Sequence, residues 1–145
     1  MLLTRRSDKA DVLKKVPLFG GLNRRYLHLI AREADEVKVE AGAVLTKQGG
    51  LGLEFLLILE GAARVERDGK VIARLGPGDF FGEMSLIDGL PRSAAVIAES
   101  PSVLLVIHSR AFRSLLDAVP GLQKRLLITL CERLRAADTR LASIN

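Results

Sequence analysis

Between residues 36 and 108 the apolar positions alternate with polar ones or run unbroken in short stretches. On either side they recur every three or four residues. A period of two marks a half-buried strand, and a three-four spacing marks a helix lying on a core. The pattern predicts strands over 36–40, 44–47, 55–59, 63–67, 71–75, 94–98 and 103–108. Val37 and Val39 alternate with charge, as in a strand with one wet face. Arg67-Asp68-Gly69-Lys70 sets Asp-Gly between two such runs, a strong hairpin signal. Ten of the 13 glycines lie between Gly42 and Gly89, so turn punctuation is confined to this span, as in a sandwich or barrel.

Helices flank it. One is predicted over 8–16, with Asp8 as cap and Pro17 as stop. A second follows the cap Asn23, with Leu27, Ile30 and Ala34 on one face. A third opens at Ser109 or Arg110 and ends before Pro120. The last spans 121–143, where Leu127, Leu130, Leu134, Ala137, Leu141 and Ile144 keep a three-four spacing that Leu126, Ile128 and Cys131 widen. That stripe either packs on its own β core or pairs with a second chain.

At 145 residues the chain is about one domain, long enough to bury a core without disulfide or metal. Its single cysteine, Cys131, excludes an internal disulfide and reads as a small buried hydrophobe. His28 and His108 stand apart from any metal-ligand spacing. No apolar run reaches the roughly 20 residues of a membrane span, and no signal peptide opens the chain. A reducing, cytoplasmic setting is the expectation. A net charge of +5 suggests nucleic acid until its distribution is counted. Residues 1–33 hold eight basic and three acidic side chains, 34–117 nine and twelve, and 118–145 five and two. The middle is acidic, and at 4% aromatic content stacking platforms for bases are few.

One segment carries chemistry, Gly78-Asp79-Phe80-Phe81-Gly82-Glu83-Met84-Ser85-Leu86-Ile87-Asp88-Gly89-Leu90-Pro91-Arg92-Ser93-Ala94-Ala95-Val96. Gly82 lets backbone N–H groups approach a ligand closely. Residues 83–87 suit one or two helical turns, whose first amides lack partners and favour an anion. Arg92, after a Gly-Leu-Pro turn, suits bidentate contact with a phosphate, and Ser93 adds a hydroxyl. A carboxylate beside an anion site repels phosphate unless it accepts from hydroxyls. Glu83 therefore points to a phosphorylated sugar.

The run from Phe81 to Leu86 with Pro91-Arg92-Ser93-Ala94-Ala95-Val96 resembles the phosphate-binding cassette of cyclic-nucleotide-binding domains. This family includes catabolite activator proteins, kinase regulatory subunits and cyclic-nucleotide-gated channels. Pro17-Leu18-Phe19, Gln48-Gly49 and the stretch 56–61 resemble its frame, so the likeness covers about 12–142. It implies one mainly β domain over 1–145, an antiparallel, jelly-roll-like β-roll (a double-stranded β-helix). N-terminal helices would occupy 1–34, the roll 35–108 with its cassette at 81–96, and C-terminal lid helices 109–145.

The resemblance further implies cAMP as the ligand, with cGMP also accommodated, and no other cofactor. Gly82 and Ser85 would present backbone N–H groups, with Met84 and Ala94 beside them. Glu83 would take the ribose 2′-OH, Arg92 a phosphate oxygen, and Ser93 backbone and hydroxyl contacts. Val65, Ile72 and Ala73 would form an apolar wall, and Arg133 matches the position from which the catabolite activator reaches the base. The segment 49–53 lacks the acids that usually follow Gln-Gly, one of which supports the phosphate Arg in kinase subunits. The signal would leave through the last helix to a partner protein or a second copy. With no room for a DNA-binding module of roughly 70 residues, direct DNA contact is not expected. Two other classes fit parts of the pattern: a roll that has lost its ligand and serves as an interaction module, and a small cupin-like enzyme, which would need clustered histidines.

Overall fold

The computed structural model describes residues 6–144, with side chains from 8 to 138. In chain order the elements are α1 (Arg6–Lys14), α2 (Arg24–Glu33), β1 (Ala34–Val39), β2 (Val44–Thr46), β3 (Glu54–Glu60), β4 (Ala63–Arg67), β5 (Lys70–Leu75), β6 (Phe80–Phe81), α3 (Glu83–Asp88), β7 (Ala95–Ala98), β8 (Ser102–His108), α4 (Ser109–Ala118) and α5 (Leu122–Ile144). Two four-stranded antiparallel sheets run in the orders β1-β8-β3-β6 and β2-β7-β4-β5. Helices before and after this roll pack on the first sheet.

The unbroken apolar runs of β3 and β8 follow from a sheet buried on both faces. Phe55, Leu57, Leu105 and Ile107 face the helices, in one core with Leu27, Ile30, Phe112 and Leu126. Leu56, Ile58, Leu104 and Val106 face the second sheet, in another core with Ala63, Phe81 and Val96. Phe55 stacks on Phe112 at 4.5 Å and on Phe80 at 5.4 Å, which ties β3 to α4 and to β6. At the β4–β5 hairpin both Asp68 and Gly69 take positive φ (54° and 79°), the turn that Asp-Gly favours.

Asn23 caps α2 as its position predicts, its side chain accepting from the Tyr26 N–H. Asp8 instead lies inside the first turn of α1, where its charge still suits the helix dipole. The stretch 80–81 is too short to display a period, and sequence pattern misses it as a strand. In α5 the packed line is Leu122 and Leu126, with Leu130 half-buried against it. Leu127 and Leu134 are 62% and 63% exposed, and Cys131 is exposed, not a buried hydrophobe. Where Leu126, Leu127 and Leu130 are all apolar, a 3.6-residue period leaves two neighbouring faces equally eligible. The side chains of Leu141 and Ile144 lie outside the described residues.

Candidate ligand cavity beside the Gly82 turn

β6 ends at Phe81, and the chain turns at Gly82 into the six-residue α3. Gly82 has φ +93°, and a Cβ there would stand 2.5 Å from Arg92 Nη1 and 2.6 Å from the Glu54 carbonyl oxygen. Only glycine gives both this φ and this approach. Gly89 ends α3, its N–H donating to the Ser85 carbonyl. The chain then returns through Pro91 to Arg92. Its backbone is pinned to the acid-free loop, with Gly49 N–H donating to Arg92 O and Arg92 N–H to Gly50 O, at 2.7 and 2.9 Å. The loop also runs close to α3, since a Cβ on Gly52 would collide with Ser85.

The Arg92 side chain is buried at 8% exposure. Nη2 donates to the Glu54 carbonyl at 2.9 Å, so a main-chain oxygen does the holding that the loop's missing acids would otherwise do. Nη1 is sealed from solvent and has no hydrogen-bond partner. Burial lowers the pKa of this guanidinium, and the charges of Glu54 and Glu83 oppose that shift. Arg92 lines the cavity, and a buried guanidinium with an unused donor suits an anion's oxygen once a ligand reaches it.

Glu83 is equally buried, at 3% exposure. Desolvation raises its pKa, countered by Arg133, its own backbone N–H and Arg92. Arg133, from α5, donates through Nη1 to Glu83 Oε1 at 2.7 Å and through Nη2 to the Phe80 carbonyl at 2.6 Å. Its guanidinium also lies 4.2 Å over the Phe80 ring. The last helix is thus fastened to the turn that opens the cavity.

The cavity measures about 360 Å³. Gly82, Glu83, Met84, Ser85, Arg92, Ser93, Ala94, Val65, Ala73 and Arg133 all line it, so ten of the residues singled out in the sequence converge. Ile72 does not. The β4–β5 register shifts between Val65 and Glu66, so Ala73 and Leu75 face inward opposite Val65 and Ala63, and Ile72 points out at 45% exposure. Sequence reasoning missed Thr46, Leu75, Phe80, Phe81, Val96 and Ala136, which also line the cavity. Leu75 is signalled by its spacing of two from Ala73, and Val96 by the same spacing from Ala94. Among the described residues no three His, Cys, Asp or Glu side chains gather as a metal site, and no helix is long and apolar enough to cross a membrane.

Comparison with known proteins shows the family and the fold. Residues 36–119 match the family model described as the cyclic nucleotide-binding domain, a binding module rather than an enzyme. A cyclic nucleotide-gated potassium channel of Mesorhizobium japonicum is 40% identical over 127 residues, covering 88% of this chain and 35% of the channel. The crystal structure of the Thermus thermophilus catabolite activator protein superposes with a TM-score of 0.79 at 33% identity, over 88% of this chain and 62% of that one. The regulatory domain of Toxoplasma gondii PKA, crystallised with cAMP, gives 0.78 at 28% identity over 88% and 50%. The chain spans about a third of the length of the channel it resembles.

Proposed function

The chain belongs to the cyclic nucleotide-binding domain family, and we propose that it is a sensor whose cavity takes cAMP and whose last helix carries the response. The observation that carries this reading is Arg92, whose buried Nη1 has no partner, lining one cavity with the buried acceptor Glu83. The cyclic phosphate satisfies Arg92 and the backbone amides at the start of α3. The ribose 2′-OH donates to Glu83. The base lies on the apolar wall that contains Val65, Ala73 and Val96.

The response follows from what Glu83 already holds. A ribose hydroxyl arriving at this carboxylate meets Arg133, the group that fastens α5 to the turn. Binding therefore changes the partners of α5 directly, and a helix docked along few residues re-packs at modest cost. The signal leaves through α5 to a partner protein or a second copy, by way of its outer face, where Leu127 and Leu134 are exposed.

Thermal unfolding with added nucleotide tests the reading. Ligand at a hundredfold excess over Kd stabilises the fold by about 2.7 kcal/mol, a rise of several degrees in Tm. No shift with millimolar cAMP or cGMP would favour the interaction-module reading.

A further inference from the structure

A polar side chain outside the stretch 82–93 and α5 also lines the cavity and has no part in these assignments. Thr46 ends β2, is 9% exposed and lines the cavity. Its placement comes from strand register. Thr46 pairs with Val96 on β7, Val96 with Val65 on β4, and Val65 with Ala73 on β5. The four form one row across the second sheet, and all of them line the cavity. Side chains in such a row stand on one face, about 5 Å apart. Strict alternation would turn Thr46 outward, because its neighbour Leu45 packs in the core between the sheets. The register shift between Val44 and Thr46 brings it in.

Three members of the row are Val, Val and Ala, and the fourth carries a hydroxyl. Every other polar side chain at the cavity comes from the stretch 82–93 or from α5. Among the described residues no protein group bonds the Thr46 hydroxyl. Thr46 Oγ1 is not among the buried unpartnered atoms, so it opens onto the cavity. A ligand that displaces the water there must replace that hydrogen bond, which a valine of the same shape would not ask of it.

The geometry points to Thr46 as a ligand-contacting residue, its Oγ1 hydrogen-bonding a polar atom at the edge of the nucleotide that lies on the wall. This rests on the reading of the cavity as a cyclic-nucleotide site. The atom bonded belongs either to the base edge or to the sugar–phosphate ring, and one hydroxyl serves both.

Calorimetric titration of Thr46→Val and Thr46→Ser with cAMP and with cGMP, beside melting of the free proteins, tests it. Thr46→Val weakens binding roughly three- to tenfold, the worth of one neutral hydrogen bond. Thr46→Ser restores affinity to within about twofold, and the free Thr46→Val protein melts no lower than the unmodified chain. Unequal loss between the two nucleotides places the bond on the part of the base edge where they differ, and equal loss places it on an atom they share, in the sugar–phosphate or at purine N3 or N7. Unchanged affinity in Thr46→Val overturns the assignment. So does a Thr46→Ser protein that binds as weakly as Thr46→Val. If the unmodified chain binds neither nucleotide, the reading of the cavity fails and the Thr46 bond with it; normal binding that ignores Thr46→Val sinks Thr46 alone.

Discussion

Two buried side chains of opposite charge, Arg92 and Glu83, define the site, and each stands at a cost that only its surroundings offset. For Glu83 the cost has a sign that pH reveals. Burial raises its folded pKa above the ordinary value of 4.5. A raised value means that its contribution to stability is fully present below pH 4.5 and is lost as pH climbs through the folded value. Glu83→Gln does not titrate. Its Tm relative to the unmodified chain should therefore increase as pH rises from about 4.5 toward neutrality; a flat or falling difference in that window would contradict the burial argument. At this scale the sequence was informative where chemistry is local. Gly82, Glu83, Ser85 and Arg92 lie within eleven residues, and their types alone suggest a phosphorylated sugar. Thr46, Phe80 and Ala136 were illegible, because pairing between distant strands and the docking of α5 bring them in.

Elements were legible wherever period and punctuation agreed. The hairpin turn, the cap Asn23, α4 and α5 all lie within a residue or two of where the pattern puts them. Two β-bulges account for the misplaced side chains: one turns Ile72 out and the other turns Thr46 in. A bulge inverts the facing of everything beyond it without a fixed sequence signature. For α5 the spacing predicts the helix but not its buried side, and the fastening falls to Arg133. Arg133→Met removes both hydrogen bonds and the contact with Phe80. Hydrogen exchange should then quicken across 130–138 by roughly fivefold, about 1 kcal/mol for an ion pair whose arginine is partly exposed, with an added carbonyl contact. The amides of α4 should keep their protection. Unchanged exchange in α5 would mean that Leu122 and Leu126 hold the helix alone.

Across the whole molecule, an acidic roll lies between basic flanks, and the excess of positive charge that first suggests nucleic acid belongs to the flanking segments. Inside the roll a positive group is placed where the cavity needs one, at Arg92. The fold gathers onto this site residues up to 90 positions apart, from Thr46 to Ala136. It does so by laying two sheets face to face and closing one end with a helix. The central claim is that this arrangement is a cyclic-nucleotide receptor organised around Arg92. The most direct measurement is calorimetric titration of cAMP into the unmodified chain and into Arg92→Ala. The account predicts saturable binding to the former and a loss of about 2–5 kcal/mol in the latter, some thirtyfold or more, with the circular-dichroism spectrum unchanged. Near-equal affinity in a folded Arg92→Ala protein would contradict it.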